Sequence, residues 1–219
     1  KHDLNMDEEI TIIDSNTRNE KIRNFFVNNK RSLLVSFSII IVLLVCYFFF
    51  AEIKERNKIK LANQFNLAVM QFDVSEKKKT TNELISIVKK KDFTYSPLAL
   101  YFLLDNNLIE NNNEVNSLFD VLINETKLEI EIKNLIVYKK ALFNSETASE
   151  NELLDILNPI INSESIWKSH ALYLMAEYFY SKKEKQKSKE FFNQILKLTN
   201  DNSDIRLKSQ KRINRDFGE

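Results

Sequence analysis

Residues 171–195 read ALYLMAEYFYSKKEKQKSKEFFNQI, which is the pattern of two short helices joined by a charged turn. Apolar or small residues recur at helical spacing in both halves, and the lysine pair Lys182-Lys183 interrupts them. Ala176 in the first half and Ser188, Phe192 and Ile195 in the second share one inner face. This stretch therefore predicts a helix–turn–helix hairpin.

The hairpin pattern recurs along the chain. Starting from Val69, Leu103, Val137 or Ala176, successive steps of 12, 4 and 3 residues along the chain each reach an apolar or small side chain. These starting positions lie 34, 34 and 39 residues apart, and a near-constant period of this length is typical of stacked helical repeats. We therefore expect an all-α fold, with about four helix pairs over residues 62–202 and a capping helix and tail over residues 203–219. An irregular helical bundle is the alternative.

Several short motifs predict where individual helices begin. Ser96-Pro97 has the form of a capping residue followed by proline at the first helical position. Thr147 and Glu150 have the spacing of a capping box. The last interval is 39 residues, five longer than the other two. We expect the five extra residues in a connection between helices over residues 159–165.

Composition restricts the fold and function further. The chain has 219 residues, of which 43% are hydrophobic, and it contains one glycine and two prolines. So little glycine excludes folds built on tight turns and sites built on glycine-rich phosphate loops. The formal net charge is only +1, so we expect no nucleic-acid partner.

The apolar run from Ser32 to Ala51, SLLVSFSIIIVLLVCYFFFA, holds twenty residues without a charge. As a helix it would cover the roughly 30 Å of a bilayer core, so we expect a transmembrane anchor over residues 32–51. A buried core helix and a cleaved signal peptide fit less well, because the run lacks a polar edge and a small-residue cleavage site. Lys30 and Arg31 precede the run, which favours a cytoplasmic arm over residues 1–31, and residues 52–61 form a helical connector.

Residues 62–202 resemble tetratricopeptide repeats. The fourth unit matches best, since the family's helix-contact positions are occupied there by Leu172, Met175, Ala176, Phe179, Ser188 and Phe192. The first three units depart from the pattern, because valine or leucine replaces the small residue at which the paired helices usually approach.

The whole layout, a charged arm, one span, a short connector and a divergent repeat domain, is similar to the YfgM-like ancillary subunits of the SecYEG translocon. The resemblance implies a single-pass protein of the bacterial inner membrane with its repeats in the periplasm. Its partners would be translocon subunits and a membrane-anchored periplasmic chaperone. An adaptor for cell division or envelope assembly is the alternative.

No set of residues in the sequence is suited to catalysis. A nucleophile needs a neighbouring base and oxyanion donors, which one glycine cannot supply as glycine-rich turns. Cys46 lies inside the apolar run, and His170 has no second His or Cys at metal-ligand spacing. We therefore expect no enzyme, cofactor, metal or small-molecule substrate; an enzyme of unknown type is the rival interpretation.

The repeat register projects one set of side chains into a groove where a partner protein would bind. The candidates are Leu100, Leu104, Tyr138, His170, Tyr173, Glu177 and Tyr180. Tyrosine suits such a surface because its ring is buried on binding while its hydroxyl finds a polar partner. No projected groove position is Lys or Arg, which disfavours an adaptor that clamps a C-terminal carboxylate.

Charge is unevenly distributed along the predicted repeats. Residues 92–181 carry 14 acidic and 5 basic side chains, whereas residues 182–215 carry 11 basic and 4 acidic ones. Ends of opposite sign can steer a partner or favour head-to-tail self-association, and a chance distribution is the alternative.

Overall fold

The computed structural model of the protein describes residues 19–73, 76–199 and 202–218. These residues form ten helices and no strand, so the predicted all-α class is confirmed. Most of the predicted N-terminal arm, residues 1–18, lies outside the described residues. The helices are α1 (19–28), α2 (Lys30–Met70), α3 (Lys77–Val88), α4 (Tyr95–Asp105), α5 (Asn112–Asp120), α6 (Ile130–Asn144), α7 (Glu150–Ile161), α8 (Lys168–Ser181), α9 (Lys185–Leu196) and α10 (Ser203–Asp216). A π-helical turn, Val121–Glu125, continues α5.

The chain divides into two compact units, residues 1–60 and residues 61–219. In the first unit, every large apolar side chain between Leu34 and Phe50 is at least 45% exposed. The helix that carries them, α2, is long and apolar enough to cross a membrane. The predicted span over residues 32–51 lies within this helix.

Three clusters of buried side chains form the core of the second unit. The first joins the end of α2 to α3, α4 and α5 and includes Leu84 and Phe119. The second joins α6, α7 and α8 and includes Leu157 and Met175. The third joins α8, α9 and α10 around Phe192. Consecutive helices therefore bury their apolar faces against one another along the chain, as the periodicity predicts.

Small residues allow α8 and α9 to approach closely. The Ser188 hydroxyl on α9 donates a buried hydrogen bond of 2.8 Å to the Ala176 carbonyl oxygen on α8. Helix α10 then packs against both of these helices. The pair matching the repeat pattern best is therefore also the one that the last helix covers.

The predicted start of α4 is corrected by the structure. The helix begins at Tyr95, which places Ser96 and Pro97 in its first turn. The buried Ser96 hydroxyl donates to the Ile87 carbonyl oxygen at 2.8 Å, so it connects α4 to the end of α3. The serine therefore serves a contact between helices, which a local capping motif cannot predict.

The predicted boundaries of α7 also need correction. The capping box consists of Ser149 and Glu152, whose carboxylate accepts a 2.8 Å hydrogen bond from the Ser149 backbone N–H. The prediction of Thr147 and Glu150 was wrong because the Thr147 hydroxyl hydrogen-bonds the turn that ends α6. Pro159 lies in the last turn of α7, not in the connection, since its fixed φ of about −65° is compatible with helical backbone.

Candidate functional site

An aromatic cluster lies where the start of α8 meets α6. The Tyr138 ring on α6 stacks on Trp167, with ring centroids 6.0 Å apart, and His170 packs 5.8 Å and 5.1 Å from these two rings. The Ser165 hydroxyl positions the cluster by accepting from the Trp167 backbone N–H and donating to Glu131 of α6 at 2.8 Å. Burial raises the pKa of the Tyr138 hydroxyl. The cluster is therefore a half-buried aromatic surface.

An ion-pair network joins α8 to α10. The Arg212 guanidinium donates two hydrogen bonds to the carboxylate of Glu177, at 2.8 Å and 2.6 Å, and it also pairs with Asp216. Its carbon lies 4.2 Å from the centroid of the Tyr180 ring. A planar guanidinium suits this position because it can bind a carboxylate with two donors while stacking on an aromatic face. Arg212 is 14% exposed, so its charge is held in one place.

The sequence of α10 explains why one face of the helix packs and the other is basic. Asn202 caps the helix through its side-chain oxygen, which accepts from the Asp204 and Ile205 backbone N–H groups. Ile205 and Ser209 are buried one helical turn apart. Just past the helix end, the Phe217 ring contacts both Tyr180 and Phe192. These contacts fix α10 across the last helix pair.

An open concavity of about 600 Å³ lies beside these contacts, and we call it the α8–α10 groove. The side chains that line it are Tyr173, Lys208, Lys211, Arg212, Asn214 and Arg215. The Arg215 guanidinium hydrogen-bonds Asp216 and lowers the pKa of that carboxyl, so Asp216 is ionised near neutral pH. Four cationic side chains and one aromatic ring therefore share this surface.

The prediction that Leu100 lines a groove was wrong. Its side chain is 0% exposed, because α4 also buries Ala99 and Leu103 and so contributes to the core on more than one side. Leu104, on the same helix, is partly buried against the first core cluster. An apolar side chain that the repeat register assigns to a groove is therefore part of the core when its helix is packed by neighbours on several sides.

The other five predicted site residues fall into two groups. Tyr138 and His170 belong to the aromatic cluster with Trp167. Tyr173, Glu177 and Tyr180 lie on the α8 face that α10 contacts, where Glu177 and Tyr180 bind Arg212, while Tyr173 lines the α8–α10 groove. The projected register thus named three residues of the α8 face that α10 contacts, but it did not predict the contact with α10.

The cations of α10 were missed by sequence reasoning, because only the four helix pairs were projected onto the groove. A usable signal was present in the sequence. Ile205, Ser209 and Ile213 recur every four residues; Lys208, Lys211 and Arg212 lie between them, and Arg215 follows. This is the pattern of an amphipathic helix with a basic outer face.

This arrangement is suited to binding an anionic group. Fixed cations bind anionic groups, and the neighbouring aromatic ring offers apolar contact. Within the described part of the chain, no group of three or more His, Cys, Asp and Glu side chains is placed to hold a metal ion. Comparison of the chain with protein-family models, curated proteins and solved structures finds no match.

Proposed function

We propose that this protein is a membrane-tethered scaffold that binds other proteins through a groove in a tetratricopeptide-like repeat domain. The observation that carries the proposal is the α8–α10 groove, where Tyr173 lies beside four cationic side chains on an open surface. Tyrosine and arginine are enriched at the residues that contribute most to protein–protein binding. The half-buried rings of Tyr138 on α6 and of Trp167, which precedes α8, offer a second aromatic surface.

The repeat assignment is supported by how the helices pair. Helices α6 and α7 pack together, as do α8 and α9, and the first helices of successive units, α6, α8 and α10, also contact in sequence. The small residues Ala176 and Ser188 stand at the closest approach of α8 and α9, as the repeat pattern requires. We propose four helix pairs, with α10 as the capping helix. The first two, formed by the end of α2 with α3 and by α4 with α5, pack less closely than α3 does against α4.

The proposed tether is the apolar part of α2. Its large apolar side chains are exposed throughout, so in water they would cost free energy that a bilayer removes. Lys30 and Arg31 flank the run on its N-terminal side, which supports a cytoplasmic N-terminus and a periplasmic repeat domain in a bacterial inner membrane.

The proposed partners are subunits of the SecYEG translocon and a membrane-anchored periplasmic chaperone. The support for these partners is the resemblance in layout to the YfgM-like ancillary subunits. Binding to cell-division or envelope-assembly proteins is the alternative, and the same experiment distinguishes the two.

The test places a photoreactive amino acid at Asn214, an exposed residue that lines the α8–α10 groove, in the full chain in bacterial membranes. The matched control places it at Asn151, an exposed residue of α7 that does not line the groove. Irradiation should join a discrete protein to the Asn214 variant and not to the Asn151 variant. Antibodies to SecYEG subunits and to cell-division proteins then identify the adduct.

Two outcomes would contradict the proposal. No adduct at Asn214, in a protein that accumulates normally, would remove the groove as a binding site. Equal adducts at both positions would indicate random collision in the membrane rather than a docked partner.

A further inference from the structure

Lys208 and Lys211 carry uncompensated positive charge in the α8–α10 groove. Both side chains are exposed, and neither forms an ion pair with any residue that the structure describes. Arg212 and Arg215 differ, because Glu177 and Asp216 already bind them. The groove therefore holds four cations against two carboxylates, and the excess charge resides on the two lysines.

The paired arginines determine where this charge is located. Arg212 is held by the carboxylate of Glu177 on α8 and by the Tyr180 ring, so it keeps the basic face of α10 directed along α8. Lys211 and Lys208 lie on the same helix, one and four residues before Arg212. A ligand would therefore meet a preformed basic surface and would lose less conformational entropy in ordering it.

The basic part of the α8–α10 groove is short, which favours a short anionic ligand. Lys208 and Arg215 are seven residues apart, about 10 Å along a helix axis. Residues 92–181, which include α8, carry 14 acidic and 5 basic side chains and would repel a polyanion that extends beyond the groove on that side. The aromatic wall formed by Tyr173 adds an apolar contact that a plain phosphate chain would not use.

We infer that the α8–α10 groove binds a short acidic segment of a partner protein, in which two or three carboxylates flank an apolar side chain. The carboxylates pair with Lys208 and Lys211, and the apolar side chain packs on Tyr173. This assignment rests on the proposed scaffold function and names the chemistry of the segment that the scaffold recognises. It also assigns the cations of the groove to the capping helix, α10. The groove positions projected from the four helix pairs contain no cation.

The probe for this assignment is a fluorescein-labelled peptide, Gly-Glu-Glu-Leu-Glu-Glu-Gly, mixed with the full chain in detergent micelles, with fluorescence anisotropy as the readout. A peptide with Gln at every Glu position tests the need for charge. We expect the Glu peptide to bind, the Gln peptide not to bind, and the affinity to fall as salt rises. Lys208→Gln with Lys211→Gln should weaken binding about tenfold, since two exposed ion pairs with the peptide are lost together.

The matched control is Lys89→Gln with Lys90→Gln, which removes the same charge from two exposed lysines that follow α3. Equal weakening by the control pair would show that net charge alone attracts the peptide and would overturn the assignment. Failure of the Glu peptide to bind would also overturn it. So would tighter binding, through the same two lysines, of a single-stranded oligothymidylate or of phosphatidylglycerol vesicles, because the ligand would then belong to another class.

Failure of this assignment can be separated from failure of the scaffold proposal. The photoreactive group at Asn214 is introduced into the Lys208→Gln, Lys211→Gln chain. An undiminished adduct in that variant would keep the scaffold function and reject the acidic segment. Loss of the adduct, together with loss of peptide binding, supports both.

Discussion

Replacing Phe192 with alanine should remove the side chain around which α8, α9 and α10 pack. Phe192 is 0% exposed, and its ring centroid lies 5.5 Å from that of Tyr173 and 6.0 Å from that of Phe217. Truncating a fully buried phenylalanine costs about 3–5 kcal/mol, because transfer free energy and packing are both lost. In a unit of about 160 residues, this corresponds to a melting temperature lower by roughly 10 °C or more.

The assay uses a fragment of residues 58–217, which we expect to fold without the anchor as an almost wholly helical unit. Thermal and urea unfolding followed by circular dichroism give the change in free energy of unfolding. Phe192→Leu is the matched control, since it keeps most of the apolar volume and should cost less than half as much. A loss below about 1 kcal/mol for alanine would refute the packing role of this ring. Strong strand content in the fragment would refute the helical assignment.

Three further predictions concern charge, ionisation and topology. Arg212→Met leaves the Glu177 carboxylate partly buried without its cation, so it should cost about 1–2 kcal/mol in urea unfolding, and much less when Glu177→Gln is already present. Burial raises the pKa of Tyr101 from 10.0 to about 12, so the folded state should lose stability as pH rises through this range. Tyr101→Phe should reduce that alkaline loss, and an unchanged pH profile would refute it. Protease added to opened spheroplasts should digest the helical domain from Leu61 onward while cytoplasmic markers survive, and survival of the domain would reverse the proposed orientation.

Helix positions and the principal buried faces were predictable from the sequence, because helical periodicity depends on residues three and four apart. The repeat resemblance placed Met175, Ala176 and Phe179 at helix-contact positions of α8, and all three are buried. Likewise, Phe192 and Ile195 of α9 are fully buried. The same local pattern predicted a helical last segment, and α10 is a helix over Ser203–Asp216.

The candidate site was only half predictable, for a physical reason that α4 illustrates. Leu100 and Leu104 lie one turn apart on this helix, yet Leu100 is fully buried and Leu104 only partly. Periodicity gives the direction of a side chain about its own helix axis. It does not state how many neighbouring helices enclose that direction, so it could not separate a groove residue from a core residue.

The sequence by itself determined the all-helical class, the single long apolar run within α2 and the amphipathic face of each following helix. Those properties follow from hydrophobicity and backbone geometry over a few turns. Only the tertiary structure decided that Arg212 binds Glu177, a residue 35 positions earlier, and that the basic face of α10 thereby lies beside Tyr173. Such a site forms between helices, and its residues come together because the buried faces around Phe192 pack, which no local pattern in the chain encodes.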